Sequence, residues 1–502
     1  YVDNDASGSN VMYRGLPTSD YKLASFGYEV PESDKFGSAY TNDLHKLTSL
    51  FSRLNYNYKE KYLLTGVIRR DGSSKFGTNN KFGVFPSFSA GWVVSQEDFW
   101  KTNSIVNTIK IRGGYGVTGN DAIGDFGYLA LVSGGRNYPF GSDGAINIGT
   151  SPDAPSNPDL KWEETIQTNI GVDAKFFNTL NLTAEVYNKK TTGILQYVEI
   201  PGFIGATGSP LGNVADMENR GIELELGYNE TFGDLNVRLS GNASYLENEV
   251  TYLGQGKTFI TGGVGFQSMG TLTRTEIGVA RNTFYGYKTA GIFQNQSEID
   301  AYTNSTGIII QPNAKPGDFK WVDTDDNGKI EDLDKKYLGS SIPKYTFGFN
   351  INLDYKGFDL NMAFQGVAGN KIFQGLRRID LGAAPNYQTK ALDRWVGEGT
   401  SNTYPRLTTA DTNQNFSRFS DFYLEDGDYL RLKIIQFGYS LPSDIISKIG
   451  AHKLRLYVTG ENLLTFTKYS GFDPEIGGST FGIDRGYYPQ AQSFMLGANI
   501  QF

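Results

Sequence analysis

The sequence contains no cysteine and only two histidines among its 502 residues. The absence of cysteine excludes a disulfide framework and any thiolate metal site. A Ser-His-Asp or Cys-His catalytic site would need His45 or His452, and neither histidine lies in a nucleophile motif. We interpret carboxylate pairs such as Glu163-Glu164 as loop or lumen charges. The sequence therefore predicts a protein that is not an enzyme, with no catalytic or cofactor-binding residue.

Excess positive charge and long apolar runs are also missing. The 46 basic and 54 acidic residues give a net charge of −8, which argues against nucleic acid as a partner. No run approaches eighteen consecutive apolar residues, so no transmembrane helix is predicted. The mean hydropathy of −0.38 is ordinarily that of a soluble protein, but alternating strands hide their apolar residues from such an average. The chain begins at Tyr1 in polar sequence without a signal peptide, and we expect it to be a fragment.

Glycine and aromatic residues are abundant, with 61 Gly, 31 Tyr and 33 Phe. They accompany strict alternation, which is clearest in a segment that reverses at Lys356-Gly357 and predicts an antiparallel hairpin. Its polar face consists of Thr, Gly, Asn, Asp, Ala and Gln. Each arm has about ten residues, the length that a tilted strand needs to cross a hydrocarbon layer. The apolar face carries Tyr345, Phe347, Phe349, Ile351, Leu353 and Tyr355, followed by Phe358, Leu360, Met362 and Phe364.

The same pattern recurs about thirteen times, with connections that alternate between short and long. This asymmetry is typical of a transmembrane β-barrel, which has short periplasmic turns and long extracellular loops, whereas a soluble sandwich has no reason to sort its loops. The predicted fold is therefore all-β, a transmembrane antiparallel barrel. Short connections are predicted at 58–61, 95–107, 176–180, 228–235, 355–358 and 441–453, and long ones at 70–84, 118–161, 195–217, 253–343, 368–427 and 467–488.

The domain organisation follows from these connections. Residues 1–45 are predicted to be an extracellular loop region, and residues 46–502 the C-terminal part of the barrel, with a loop insertion at 254–342. Because the last strand ends on the periplasmic side and complete bacterial barrels have even strand numbers, an odd number of strands is expected from an upstream fragment of the same barrel. Two open edges in outer-membrane lipid would otherwise leave backbone groups unpaired.

Seven stretches resemble the SusC/RagA family of TonB-dependent outer-membrane importers, and together they span almost the whole chain. They correspond to the C-terminal half to two-thirds of such a protein. The resemblance implies a 22-stranded barrel with an internal plug in the outer membrane of a Gram-negative bacterium. It also implies two partners: TonB, which would contact the missing N-terminal region, and a SusD-like surface lipoprotein. The implied substrate is an oligosaccharide or a peptide. The stretches are RLNYNYKEKYLLTGVIRRDGSSKFG (53–77), FPSFSAGW (85–92), IRGGYGVTGN (111–120), NPDLKWEET (157–165), YNKKTTGIL (187–195), YLEDGDYLRLK (423–433) and GENLLTFTKYSGFDPE (460–475).

One local motif within the 254–342 insertion matches the calcium-binding loop of EF-hands. Oxygen ligands at alternate positions wrap a hard cation, and Gly328 allows the sharp turn. Ile330 is expected to anchor the loop to neighbouring structure. The last ligand is Asp where EF-hands have a bidentate Glu, and the alternative is a solvated Asp/Asn-Gly turn without metal. The predicted ligands of a structural Ca²⁺ are Asp323, Asp325, Asn327, Lys329 through its carbonyl, Glu331 and Asp334.

Active import of glycans or peptides is the leading functional hypothesis. A passive outer-membrane porin would lack a plug, and a surface glycan-binding β-protein would have shorter strands with mixed outward faces. Dependence on detergent distinguishes both barrel hypotheses from the surface protein, and the upstream sequence distinguishes importer from porin.

Overall fold

A computed structural model describes residues 2–502 except 17–24, 26–28, 102–103, 131, 135, 141–143, 148, 207, 255, 378–386, 447–449 and 477–479. Within these residues the dominant feature is one sheet of fourteen strands, each antiparallel to its neighbours and paired in chain order. The strands are β1 Val2–Tyr13, β2 Lys35–Tyr58, β3 Tyr62–Ser73, β4 Phe82–Val93, β5 Val106–Asn120, β6 Glu163–Phe176, β7 Leu180–Tyr197, β8 Leu211–Phe232, β9 Leu235–Leu253, β10 Tyr345–Tyr355, β11 Phe358–Ala368, β12 Tyr429–Ser440, β13 Lys453–Thr467 and β14 Ser493–Gln501.

The hairpin singled out by its alternation is formed as predicted. Tyr355 pairs with Phe358 and Tyr345 with Ala368, so the register is continuous along both arms of β10 and β11. Lys356 (φ 47°) and Gly357 (φ 86°) are both left-handed, as a two-residue turn of type I′ requires. This turn follows the right-handed twist of the strands and therefore keeps the pairing tight.

The two faces of the sheet differ in polarity along its whole width. The outer face exposes large apolar side chains, which is the arrangement of a lipid-facing barrel wall. They include Leu64, Ile68, Phe88, Ile111, Tyr115, Ile170, Ile222, Leu224, Leu226, Leu239, Leu456, Val458, Leu496 and Ile500. Near the short turns this belt ends in exposed rings, namely Tyr56, Tyr58, Tyr62, Trp92, Phe232, Tyr355 and Phe358, as expected at a membrane interface.

The structure corrects the prediction for residues 1–45. Their described part contains β1 and the beginning of β2 in place of a continuous loop. Strand β1 pairs with 35–47 of β2, whereas β3 pairs with 47–58, so the β1–β2 ribbon extends past the end of β3. A ribbon beyond the apolar belt needs no apolar face, and its sequence therefore lacks clean alternation. The extracellular position of residues 1–45 stays a prediction.

In the part of the chain that the structure describes, the main sheet accordingly has fourteen strands, where the sequence predicted about thirteen. The expectation that an odd number of strands is missing depended on thirteen strands in this chain. With fourteen strands, that expectation has no basis. The total of 22 strands stays a prediction drawn from the family resemblance.

The 254–342 insertion is folded, contrary to the expectation that it is mostly loop. Four short strands form one sheet: Phe259–Gly265, Thr271–Glu276, Thr283–Gly286 and Lys336–Gly339. A second sheet pairs Thr289–Ile292 with Phe319–Trp321, and a short helix spans Gln296–Asp300. Fully buried rings such as Phe284 and Trp321 form two apolar cores, which also include Phe373 and Tyr423 from the following loop. Large aromatic side chains thus fold a segment that shows no simple period.

The remaining elements are short. Paired strands are Val132–Ser133 with Ser151–Pro152, Tyr138–Phe140 with Ala145–Asn147, and Lys371–Gln374 with both Leu424–Asp426 and Ile483–Asp484. Helical turns lie at Glu32–Asp34, Val94–Gln96, Gly202–Ile204, Gln267–Met269, Asp332–Asp334, Gly375–Arg377, Thr389–Asp393, Asp421–Tyr423 and Ser443–Ile446. None of the helices in the described ranges is both long and apolar enough to span a membrane.

Candidate functional site

The inner face of the sheet carries a network of charges across β5, β6 and β7. The Arg112 guanidinium pairs with Glu185, and its Nε lies 3.3 Å from Asp173 Oδ2. Lys110 Nζ is 3.5 Å from the same Asp173 oxygen. Asn169 donates from Nδ2 to Glu185 Oε1 at 2.9 Å. An inner wall of this kind is hydrated and polar, suited to contact with a polar substrate or another polar protein surface.

The predicted calcium loop begins directly after the strand Phe319–Trp321. Two left-handed residues, Asp326 (φ 60°) and Gly328 (φ 79°), reverse the chain inside the loop. Ile330 packs against the apolar core that contains Tyr287 and Trp321, which confirms its expected role as an anchor. The loop is thus held at a fixed position on the folded insertion.

Three of the six predicted ligands come together. Oxygen atoms of Asp323, Asp325 and Asp334 lie within 4.8 Å of one another. Asp334 is fully buried, and its two carboxylate oxygens accept from the N–H groups of Thr324 at 2.6 Å and Glu331 at 2.7 Å. These bonds fix the carboxylate and reduce the cost of burying its charge.

Asp323 provides an unused oxygen at the centre of this cluster. Its Oδ2 accepts from the Gly328 N–H at 2.8 Å. Its Oδ1 is buried without a hydrogen-bond partner among the described residues. A buried carboxylate oxygen without a donor, next to two further carboxylates, is unfavourable unless a cation neutralises it. The oxygen-only donor set fits a hard cation such as Ca²⁺.

Of the other three predicted ligands, Asn327 and Glu331 hydrogen-bond to each other beside the cluster, and the carbonyl of Lys329 as a ligand stays a prediction. Asn327 donates from Nδ2 to Asp325 Oδ2 at 3.0 Å and to Glu331 Oε1 at 2.9 Å. Because the Nδ2 group faces these carboxylates while Oδ1 accepts from the Lys329 N–H at 2.8 Å, the amide would have to rotate to present its oxygen to an ion bound there. Glu331 lies on the solvent side of the loop, one hydrogen bond from Asn327.

Residues distant in sequence also support the loop. Ser305 lowers the pKa of Asp326 through a hydrogen bond from its side chain and through its backbone N–H, which donates to Asp326 Oδ1 at 2.9 Å. Arg418 donates to the Ile330 carbonyl at 3.1 Å. Asp332 pairs with Lys335 at 2.8 Å, which lowers the pKa of Asp332. No local motif indicates Ser305 or Arg418, because their contacts depend on the fold of the insertion.

Comparison with known proteins places this chain within a single family. A family model described as "TonB dependent receptor-like, beta-barrel" matches residues 4–463. TonB-dependent receptor P3 of Formosa agariphila is 34% identical over 478 residues, which cover 93% of this chain and 46% of that protein. TonB-dependent receptor SusC of Bacteroides thetaiotaomicron is 30% identical over 468 residues, 91% of this chain and 44% of SusC.

A solved structure shows the same architecture. The RagAB peptide importer in its "open-open" state superimposes with a TM-score of 0.81 at 26% identity, covering 99% of this chain and 51% of that chain. The chain spans about half the length of the curated relatives that it matches. The family is one of outer-membrane transporters rather than of enzymes. The chain therefore belongs to the TonB-dependent receptor-like β-barrel family, in its SusC/RagA group.

Proposed function

We propose that the complete protein imports glycans or peptides across the outer membrane by a TonB-dependent mechanism. The observation that carries this proposal is the family match over nearly the whole chain, on a sheet with an apolar outer face and a charged inner face. A charged wall favours passage of hydrophilic solutes, and an apolar belt holds the wall in lipid. The likeness to the RagAB peptide importer supports peptides as substrates, and glycans are retained from the resemblance to the SusC/RagA family.

The proposed partners are TonB, a SusD-like surface lipoprotein and the upstream part of the same barrel. The support for these partners comes from the relatives alone. The chain matches only about half of the relatives' length, so the remaining half would be supplied by the upstream part. The folded insertion provides a rigid surface next to the long loops, where a surface lipoprotein would bind.

Uptake by cells distinguishes import from passive diffusion. We expect cells that produce the complete protein to accumulate a labelled oligosaccharide or oligopeptide, and to lose this uptake when TonB is inactivated. Purification from detergent should yield the barrel together with a lipoprotein. Uptake that persists without TonB would support the porin alternative, and a protein that stays monodisperse without detergent would support the surface glycan-binding alternative.

We also propose that the loop from Asp323 to Asp334 binds one structural Ca²⁺. The support is the converging oxygens of Asp323, Asp325 and Asp334 and the unpartnered Asp323 Oδ1. Asp323 and Asp334 would be direct ligands, and the bound ion would neutralise the cluster and stiffen the insertion. It has no role in catalysis.

Metal content and proteolysis test the calcium proposal in the detergent-purified complex. We expect one Ca²⁺ per chain from this loop, removed by EGTA, with faster cleavage within 322–335 after removal. Asp323→Asn should lose the ion, whereas Asp300→Asn, at an exposed acid on the same insertion, should keep it. Equal calcium content in wild type and Asp323→Asn would contradict the proposal.

A further inference from the structure

A cavity of about 200 Å³ lies at the long-loop ends of β7, β8 and β9. It belongs to the inner side of the sheet. Met217 of β8 is an even number of residues away from Glu223 and Glu225 and therefore shares their face, opposite the outward-facing Leu224. The two-stranded part of the insertion at 259–276 covers one side. We call this cavity the wall pocket, and its lining includes Ile194, Gln196, Ala215, Asp216, Met217, Val250, Leu253, Ile260, Thr275, Arg281, Asn282 and Phe481.

The floor of the wall pocket is apolar and rigid. Ala215, Val250 and Leu253 form a buried cluster, with Ile260 packed against it. Phe481 also lines the cavity, and its backbone is left-handed with φ 53°. A non-glycine residue in this conformation costs of order 1 kcal/mol or more and persists only where the surroundings impose it. The fold of the loop thus imposes this backbone conformation on a residue that lines the cavity.

Two opposite charges lie at the wall pocket and do not pair with each other. Asp216 Oδ1 accepts from the Gly193 N–H at 2.9 Å, which leaves Oδ2 available. Arg281 is anchored through its backbone N–H, which donates to Asn248 Oδ1 at 2.9 Å. Arg281 is an exposed residue, and its guanidinium forms no ion pair with a carboxylate in the described ranges. One acceptor and one cationic donor thus stand beside an apolar floor.

The size and chemistry of the wall pocket select among possible ligands. Pockets for complete small molecules hold roughly 300–1,000 Å³, so this cavity is suited to one side chain. A sugar carries hydroxyl groups around its ring, and those that face the apolar floor of Ala215, Val250 and Leu253 would have no hydrogen-bond partner there. A peptide can bury an apolar side chain while its backbone N–H donates to Asp216 and its carbonyl or carboxylate accepts from Arg281.

We propose that the wall pocket binds an apolar side chain of a substrate peptide, with Asp216 and Arg281 holding the peptide's polar groups. This inference rests on the proposed import function and narrows its substrate class to peptides. Burial of a leucine-sized side chain supplies affinity, and the two charges set the direction of the bound peptide.

Equilibrium binding to the purified complete complex tests the wall pocket without involving TonB. The probes are three fluorescent ligands: a Gly/Ser hexapeptide with one central leucine, the same peptide with aspartate in that position, and maltohexaose. We expect the leucine peptide to bind at least tenfold more tightly than the other two. Equal affinities, or binding of maltohexaose alone, would overturn the proposal.

Substitutions in the wall pocket test whether the leucine peptide binds there. Ala215→Phe should fill the cavity and abolish the preference for leucine, and Arg281→Gln should weaken binding of the leucine peptide about tenfold. Lys288→Gln, at an exposed cation of the same insertion outside the cavity, should leave binding unchanged. Arg281 is exposed, so its replacement tests the pocket even if Ala215→Phe prevents assembly. Wild-type affinity in Arg281→Gln would contradict the proposal. TonB-independent uptake would refute active import but leave these binding results intact.

Discussion

At the scale of single residues, a buried ion cluster connects β12 to the loop that follows β13. Arg431 Nη2 lies 2.5 Å from Asp473 Oδ1, and its Nη1 lies 2.7 Å from Glu475 Oε2. Asp473 also accepts from the N–H groups of Glu475 and Gln490, each at 2.9 Å. Burial alone would raise the pKa of Asp473, but these hydrogen bonds together with Arg431 lower it.

Removal of one partner of this cluster should open the loop locally. Asp473→Asn leaves Arg431, only 3% exposed, without one of its two carboxylates, a change that typically costs about 3–5 kcal/mol. We expect faster amide hydrogen exchange across 468–492. As a control, Asp426→Asn removes the exposed pair with Lys371 and should cost less than about 1 kcal/mol. Equal exchange in the two variants would show that the buried pair does not hold the loop.

The same cluster predicts an acid response. Since the folded pKa of Asp473 is lowered, its contribution to stability is present above the unfolded value, about 3.9, and is lost as pH falls through the folded value. We therefore expect protection of 468–492 from hydrogen exchange, corrected for intrinsic rate, to decrease progressively below about pH 4. This decrease should be smaller in Asp473→Asn. Protection that is independent of pH in the wild type would contradict the assigned ionisation.

At the scale of elements, two short turns show how the local sequence determines the backbone strain in a hairpin. Lys356-Gly357 has glycine at one left-handed position, whereas Lys59 (φ 52°) and Glu60 (φ 58°) are both left-handed without glycine. A side chain in this conformation costs roughly 1–2 kcal/mol, and type I′ turns prefer Asn-Gly. The β2–β3 turn is thus the more strained of the two.

Replacement of Lys59-Glu60 by Asn-Gly should stabilise the β2–β3 hairpin by about 1–2 kcal/mol. The measurement is the urea midpoint for unfolding of the complete barrel in detergent, which should rise. Lys356→Asn, where glycine already follows, should change the midpoint much less. A lower midpoint for the double replacement would mean that the Asn57 Oδ1 bond to the Glu60 N–H, 2.9 Å long, depends on the native turn.

Alternation predicted the membrane strands because every second side chain of β10 or β11 must meet lipid. It missed β1, whose pairing with β2 lies beyond the end of β3 and needs no apolar face. It also missed the cores of the insertion, where Trp321 and Phe284 are buried by contacts between distant segments. The spacing of Asp323, Asp325 and Asp334 predicted that their carboxylates lie together, since the motif spans only twelve consecutive residues, and calcium binding there stays a proposal. The wall pocket joins β7, β8, β9, the insertion and the loop that carries Phe481, five segments in all, and has no local signature.

At the scale of the whole molecule, the structure combines two environments on one sheet. The outer face is an apolar belt that ends in aromatic rings near the short turns. The inner face carries the Arg112 network, and the folded insertion lies at the long-loop end. In water the belt would be an aggregation surface, and a lipid bilayer removes that liability. Labels on adjacent residues of one strand should therefore detect different environments, lipid for one residue and water for the next.

Paired probes on β8 test this arrangement directly. Because the chain contains no cysteine, Leu224→Cys and Glu223→Cys each introduce a single thiol in it for a nitroxide label. Leu224 is 40% exposed and pairs with Ala184 on the outer face, whereas Glu223 pairs with Glu185, the ion-pair partner of Arg112, on the inner face. In bilayers, we expect the Leu224 label to be relaxed mainly by oxygen, which partitions into lipid, and the Glu223 label mainly by a water-soluble nickel chelate. Leu226→Cys and Glu225→Cys should repeat the alternation, and Leu333→Cys on the exposed insertion should respond to the chelate. Equal access of the chelate to both members of each pair would contradict the lipid-facing belt. In a barrel wall, neighbouring residues of a strand face lipid and water in turn.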